Sequence, residues 1–266
     1  MKKRIPLVSV LINNYNKEKF CFKAVKSVLK QSYHKVEIIF FDDFSEDQSL
    51  SKIKKIKNNK IKIIQNKLRG KIYSFNQLNA IFKSLKKSKG EIICILDSDD
   101  FFAKNKIKEV VNFFRVNKKS DILFDRPIIF NKNNTFKSHV RYKIRNNKWP
   151  VFPPTSCISI RRASLKNIQK RIFVNKFKEV WFDFRIAAYF SLKKKQFNVL
   201  DKHLTYYRNY TTSYDKKYKK FLNLVWWKRR YQAFEFINHI DKDFHFRNRF
   251  SFDYLVTRII NKFIFF

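Results

Sequence analysis

Residues 90–100 read GEIICILDSDD, an apolar run that stops abruptly in acid. The run predicts a buried strand over 91–96 that delivers Asp97, Ser98, Asp99 and Asp100 at its carboxyl end. Upstream, residues 74–87 carry a helical pattern, and Gly90 is placed to end that helix with a left-handed cap. Further outward the alternation repeats. Strand-like 5–12 runs into Asn13, Asn14, Tyr15 and Asn16, and helical 20–31 carries Val25, Val28 and Leu29. Strand-like 36–41 ends in Asp42 and Asp43, followed by a Lys-rich helix over 46–57 and a strand over 61–64. The order β-α-β-α-β-α-β requires crossover connections, which are right-handed and build a parallel sheet covered on both faces. Ligands in such sheets sit beyond the carboxyl ends of the strands. One polar cluster at a strand end is ordinary turn chemistry. Three of them at one edge, each behind a clean apolar run, point to a shared binding site.

The chain has 266 residues, 44% of them hydrophobic and 18% aromatic, enough to build a core and to exclude general disorder. No apolar run reaches the roughly 20 residues of a membrane-spanning helix, because Lys or Arg breaks each one. The opening MKKRIPLVSVLINNYN has the basic start of a signal peptide but no cleavage site, so the chain is expected to begin at Met1. Sixty Lys and Arg against 21 acids give a net charge of +39, which suits nucleic acid, anionic lipid or phosphorylated ligands and does not choose among them. Cys21, Cys94 and Cys157 are scattered and odd in number, which predicts free thiols in a reducing compartment. Five scattered histidines lack the spacing of a zinc site.

The segments VSVLINNYN, AVKSVLKQSY, EIIFFDDFSEDQS and GEIICILDSDD together resemble the opening of family 2 glycosyltransferases, strongly over about the first 100 residues and more weakly to about Tyr210. The resemblance implies an α/β fold of the GT-A kind: a Rossmann-type, mostly parallel sheet flanked by helices. It implies a nucleotide-sugar donor, with UDP expected, and a divalent cation, Mn2+ or Mg2+. Hard cations prefer carboxylate and phosphate oxygens, which fits an Asp-x-Asp better than His or Cys. By the same resemblance Asp97 meets the ribose, Asp99 ligates the metal and Asp100 supports it, unless Ser98 and Asp100 merely cap the helix starting near Lys104. Asp43 and Asn13 meet the base, and Tyr15 stacks on it. The family commonly has Gly after the aspartate pair, and here Phe44 must take an ordinary negative φ or tolerate strain. Arg69 and Arg208 are candidate diphosphate contacts, the alternative for Arg69 being a solvated loop cation. Where the family often has a histidine, this chain has Tyr210.

In KEVWFDFRIAAYF, residues 178–190, the counterpart of the family's acidic motif is Asp183, the implied general base of an inverting transfer. Its alternative is a helix cap. The usual neighbouring acid is replaced by Phe182, with Glu179 a weaker substitute. The proline-rich stretch 149–156 is expected to shape the acceptor pocket, with Trp149 and Phe152 either stacking on sugars or packing in the core. The implied domain is residues 1–212, a nucleotide-binding half over 1–130 and an acceptor half over 131–212, followed by a basic aromatic helical extension over 213–266. That extension, with Trp226, Trp227, Tyr231, Phe234, Phe263, Phe265 and Phe266 among cations, fits either an anionic membrane surface or packing on the domain. The resulting expectation is a cytoplasmic enzyme, peripheral at the inner membrane face, acting on a glycan or lipid-linked saccharide. Two rivals stand beside it: a catalytically inactive GT-A-like binding protein, left open by Phe44 and Phe182, and a basic nucleic-acid-binding protein. The clustered aspartates argue against nucleic acid, since they repel phosphates unless a cation intervenes.

Overall fold

A computed structural model describes residues 5–130, 134–144, 149–209, 223–241 and 251–264. Tyr210, the 212/213 boundary, Phe265 and Phe266 lie outside the described residues. The first half contains β1 (Val8–Asn14), α1 (Cys21–Leu29), β2 (Val36–Asp42), α2 (Ser49–Lys54), β3 (Ile61–Gln65), α3 (Tyr73–Lys87) and β4 (Ile92–Asp97). The four strands lie in the order β3-β2-β1-β4 and all pair in parallel, as the crossovers require. Then come β5 (Phe101–Phe102), α4 (Lys106–Val116), β6 (Ile122–Phe130), β7 (Thr135–Lys137), β8 (Lys143–Ile144), β9 (Pro150–Val151) and β10 (Ile158–Arg161). The chain continues through α5 (Arg162–Ile172), α6 (Phe182–Lys193), β11 (Val199–Arg208), α7 (Leu224–Ile240) and α8 (Phe252–Ile264). Strand β10 enters antiparallel between β4 and β6, so both halves share one nine-stranded, mostly parallel sheet.

Strand alternation divides the core into two layers. Val8, Val10 and Ile12 of β1, with Ile38, Phe40, Cys94 and Leu96, pack with α1 and α4 on one face. Leu11, Ile39, Ile93 and Ile95 pack with α3, α5, α6 and α7 on the other. All three cysteines are buried and free.

Two local expectations change. Strand β1 starts at Val8 rather than residue 5, because Pro6 has no N–H to offer a ladder, and it continues through Asn14 because Asn13 and Asn14 still pair. Gly90 is not a left-handed cap: no glycine has a positive φ, and α3 ends at an extended Ser88. Glycine is needed there for space. A Cβ would lie 2.5 Å from the Ser9 backbone nitrogen, and Gly90 N–H donates to Ser9 Oγ at 2.8 Å.

The described C-terminal residues 223–241 and 251–264 hold α7 and α8, and α7 packs on the preceding elements rather than facing outward. Its Trp227, Phe234, Phe236 and Ile237 are buried, and Trp149 bridges α6 to α7 with ring centroids 5.0 Å from Phe184 and 4.9 Å from Phe234. Trp149 and Phe152 therefore serve the core.

Candidate active site

Strand alternation sorts the polar residues at the sheet edge. Position 13 shares a face with Leu11, toward α3, and position 14 shares one with Ile12, toward α1. Asn14 Nδ2 accordingly donates to Asp42 Oδ1 at 2.8 Å and to Ser45 Oγ at 3.1 Å, and Ser45 N donates to Asp42 Oδ2 at 3.1 Å. These residues build the turn. Asn13 instead sits opposite Asp97 in the ladder, and both line a cavity of about 640 Å³ with Tyr15, Asp43, Asp99 and Asp183. The Asn13 amide is buried with neither polar atom in a well-formed hydrogen bond, which leaves it available to a ligand.

At one end of the cavity Asp43 accepts from Asn66 Nδ2 at 2.8 Å and pairs with Arg69 Nε at 3.0 Å. Burial raises the Asp43 pKa, and the bonds from Asn66 and Arg69 only partly oppose it. The Arg69 guanidinium lies 3.6 Å from the ring centroid of Tyr15 and 4.1 Å from that of Tyr73. Arg69 is thus neither a solvated loop cation nor a partner of the Asp-x-Asp carboxylates; it stands with the base-binding candidates. Phe44 takes φ 62°, so of the two possibilities for this turn the strained one is realised.

At the other end Gln77, from the first turns of α3, donates Nε2–H to Asp97 Oδ1 at 3.1 Å. Burial, with Asp99 beside it, pushes the Asp97 carboxyl up to about 6. Asp99 is the more open carboxylate, its side chain 29% exposed, and its Oδ2 lies 2.7 Å from Lys17 Nζ. Burial opposes the Lys17 ammonium, but Asp99 outweighs it and raises the pKa. Asp100 is buried and braces rather than binds. It accepts from Ser156 Oγ at 2.6 Å and from Arg208 N at 2.8 Å, and its pKa is pushed well up by burial and by Asp99 and Asp97. Neither Ser98 nor Asp100 caps α4, whose N-cap position is Asn105. Arg208 Nε donates to the Asp99 carbonyl at 2.8 Å and its guanidinium covers Phe20 and Phe130, which holds it beside the Asp-x-Asp.

Asp183 is the second residue of α6, after the N-cap position Trp181. Thr155 Oγ1 donates to its Oδ2 at 3.1 Å and Phe184 N to its Oδ1 at 2.7 Å, so both oxygens are oriented. The approach to the helix is held by Arg185, fully buried, which donates to the carbonyls of Val180, Ile172 and Phe177. Burial pulls its pKa down to about 9. Phe182 points into the core and Glu179 does not line the cavity, so Asp183 alone represents the acidic motif.

Lys17, Tyr73, Gln77, Thr155 and Ser156 join the site without having been singled out in the sequence. Lys17 and Gln77 carried no local signal, being one cation among 60 and one polar residue on an amphipathic helix. Thr155 and Ser156 lay in the proline-rich stretch assigned to the acceptor pocket. Ser156 Oγ also accepts from Asp97 N at 3.0 Å, so these two neighbours connect the Asp-x-Asp turn to Asp183.

A divalent cation fits this edge. Asp99 offers hard carboxylate oxygens into the cavity and already attracts a cation in Lys17. Among the described residues no three His, Cys, Asp or Glu side chains gather as a closed cage, so the protein alone does not complete a cation's coordination.

The family model described as "Glycosyl transferase family 2" matches residues 9–191. An uncharacterized glycosyltransferase of Nostoc sp., alr2836, is 27% identical over 176 residues, 60% of this chain and 52% of that one. Two Escherichia coli proteins named UDP-Glc:alpha-D-GlcNAc-diphosphoundecaprenol beta-1,3-glucosyltransferase are also similar. WfaP is 37% identical over 42% of this chain and 43% of its own length. WfgD is 31% identical over 53% and 54%. The chain thus spans about half the length of these curated relatives. Among solved structures, Staphylococcus aureus TarS 1–349 in complex with UDP superposes with a TM-score of 0.60 at 21% identity, covering 92% of this chain and 74% of that one. The UDP-GlcNAc complex of the same protein gives 0.59 at 17% identity, covering 94% and 79%. The structural likeness gives the fold, and with the family match extending from β1 into α6 the chain belongs to glycosyl transferase family 2.

Proposed function

We propose that this protein transfers a sugar from a UDP-sugar to a hydroxyl of a lipid-linked saccharide or related glycan, with inversion at the anomeric carbon. The observation that carries the reading is the gathering of Asn13, Tyr15, Asp43, Asp97, Asp99 and Asp183 around one cavity at the carboxyl edge of the sheet. Tyr15 offers a face for the uracil, and Asp43 and Asn13 offer hydrogen-bonding partners to its edge once Arg69 yields the place. Asp97 accepts from the ribose, and Arg208 and Lys17 bring positive charge to the diphosphate. A Mn2+ or Mg2+ ion held by Asp99 would neutralise charge on the leaving diphosphate. Asp183 takes the proton from the acceptor hydroxyl as its oxygen bonds to the anomeric carbon and the bond to UDP breaks. The hydrogen bonds from Thr155 and Phe184 N orient its two oxygens for that transfer.

The acceptor class is supported by the names of WfaP and WfgD, and UDP by those names and by the TarS complexes. A lipid-linked acceptor puts the reaction at the cytoplasmic face of a membrane. No helix among the described residues is long and apolar enough to cross one. A thermal-shift titration of UDP with and without Mn2+ tests the donor half: native protein is expected to gain several degrees with both present, and Asp99→Ala to lose the Mn2+-dependent part. No shift with any nucleoside diphosphate would sink the reading.

A further inference from the structure

Helix α8 turns its most exposed apolar side chains away from the residues it packs on. Its inward face consists of Tyr254, Thr257 and Asn261, all buried, and Asn261 Nδ2 donates to the Trp227 carbonyl of α7 at 3.0 Å. Its outward face, at the matching helical spacing, consists of Phe252 and Phe263, each 83% exposed, with Leu255 and Ile259 between them. Packing against the described residues therefore does not account for the apolar stripe. On one flank, Arg258 and Lys262 join Lys176 and Lys228 around a groove of about 460 Å³ between α7, α8 and the 175–177 turn. The one carboxylate there, Glu235, accepts from Tyr254 Oη at 2.7 Å.

We propose that this face docks on an anionic bilayer. Phe252, Leu255, Ile259 and Phe263 enter the headgroup boundary while Lys176, Arg258 and Lys262 meet lipid phosphates. Apolar side chains outermost with cations along their flank is the arrangement an interfacial helix requires. A second copy of the chain is a poorer occupant, since it would bring another +39 charge and the same basic flank against the first. The groove is also close to the active cavity. Lys176 and Phe177 line the groove and Trp181 and Asp183 line the cavity. Phe177 and Trp181 are separated by at most about 14 Å of chain. From α7, Arg229 reaches within 5.6 Å of the Trp181 ring. A bilayer on α8 thus brings a membrane-borne acceptor near Asp183. That last step rests on the glycosyl-transfer reading; the docking itself does not.

The test is vesicle co-sedimentation of the full chain, comparing phosphatidylcholine alone with phosphatidylcholine containing one quarter phosphatidylglycerol. Native protein is expected to bind the anionic vesicles at least about tenfold more tightly. Phe252→Ser with Phe263→Ser, both outward-facing, is expected to weaken that binding by about tenfold or more. Lys176→Gln with Arg258→Gln and Lys262→Gln is expected to remove most of the preference for anionic lipid. The UDP thermal shift should be unchanged in both variants, which shows that fold and donor site survive. Binding of the phenylalanine variant equal to native overturns the proposal, since attraction would then be diffuse charge. A concentration-dependent dimer in light scattering, abolished by the same variant, also overturns it. A chain that ignores vesicles yet shifts with UDP ends the docking proposal and leaves glycosyl transfer standing; vesicle binding without a UDP shift does the reverse.

Discussion

Two polar clusters meet at Ser156 in this fold, and they are built on opposite terms. In the interior, Lys106 Nζ donates to Asp125 Oδ1 at 2.6 Å and to the Ser156 carbonyl at 2.7 Å, while Thr205 Oγ1 donates to Asp125 Oδ2 at 2.6 Å. Each charge is paired and each oxygen is occupied. At the sheet edge, Asp97 is forced upward in pKa, Asn13 has no well-formed hydrogen bond, and Phe44 bends through a positive φ. The closed cluster holds the turn in place through Ser156; the open one leaves its groups to a ligand. Stability and function are thus separated by one residue, Ser156, whose carbonyl belongs to the first and whose hydroxyl belongs to the second.

The comparison can be broken from either side. The largest effect is expected for Asp183→Asn, which keeps the shape of the open site but removes the base proposed for it. Transfer should fall by about 10³-fold while the UDP thermal shift is unchanged, and near-native turnover would show that another group takes the proton. Next, Lys106→Met strands the buried Asp125 and should destabilise the fold by about 3–5 kcal/mol in urea unfolding. The double variant Lys106→Met with Asp125→Leu should recover much of that loss, because the unpaired charge goes with it.

Asp97→Asn should act in the opposite direction. The folded carboxyl titrates at about 6, above the roughly 3.9 of an unfolded aspartate. Between those values the folded chain holds the extra proton, so stability falls as pH rises across about 4–6. At pH 7 the charged carboxylate costs on the order of 3 kcal/mol. The amide should therefore raise the unfolding midpoint at pH 7 and flatten the profile between pH 4 and 6, at the expense of UDP binding. No gain at pH 7 would mean that Gln77 and Lys17 already compensate the charge. The smallest effect is expected for Phe44→Gly, which relieves the φ of 62° and should stabilise by about 1 kcal/mol without changing the UDP shift. A loss of stability there would show that the ring contributes more than the strained backbone removes.

Much of the edge was legible in advance because strand chemistry is local. Apolar runs ending in Asn13, Asp43 and Asp97 name their own carboxyl ends, and period-2 alternation carries those side chains toward α3. Asp183 was marked in the sequence by the motif it resembles, and the structure turns the neighbouring Phe182 into the core while Asp183 lines the cavity. Lys17, Gln77 and Thr155 were not legible. Each matters through a partner 20 or more residues away, and nothing in its own neighbourhood marks it. Arg69 was noticed, but its partners were not.

The sequence by itself determined the β-α alternation, the parallel pairing of the first four strands and the acidic edge, since side-chain alternation and crossover handedness act over a few residues at a time, whereas their β3-β2-β1-β4 order came from the structure. Only the tertiary structure decided that β10 threads antiparallel into the sheet and sets Thr155 and Ser156 between the two halves of the site. It also decided that Gly90 is required for close approach to Ser9, and that α7 turns Trp227, Phe234 and Phe236 inward while α8 turns Phe252 and Phe263 out. The physical reason is common to all three. Each depends on which distant surfaces meet, a choice made by packing the whole core, to which no short window of residues has access.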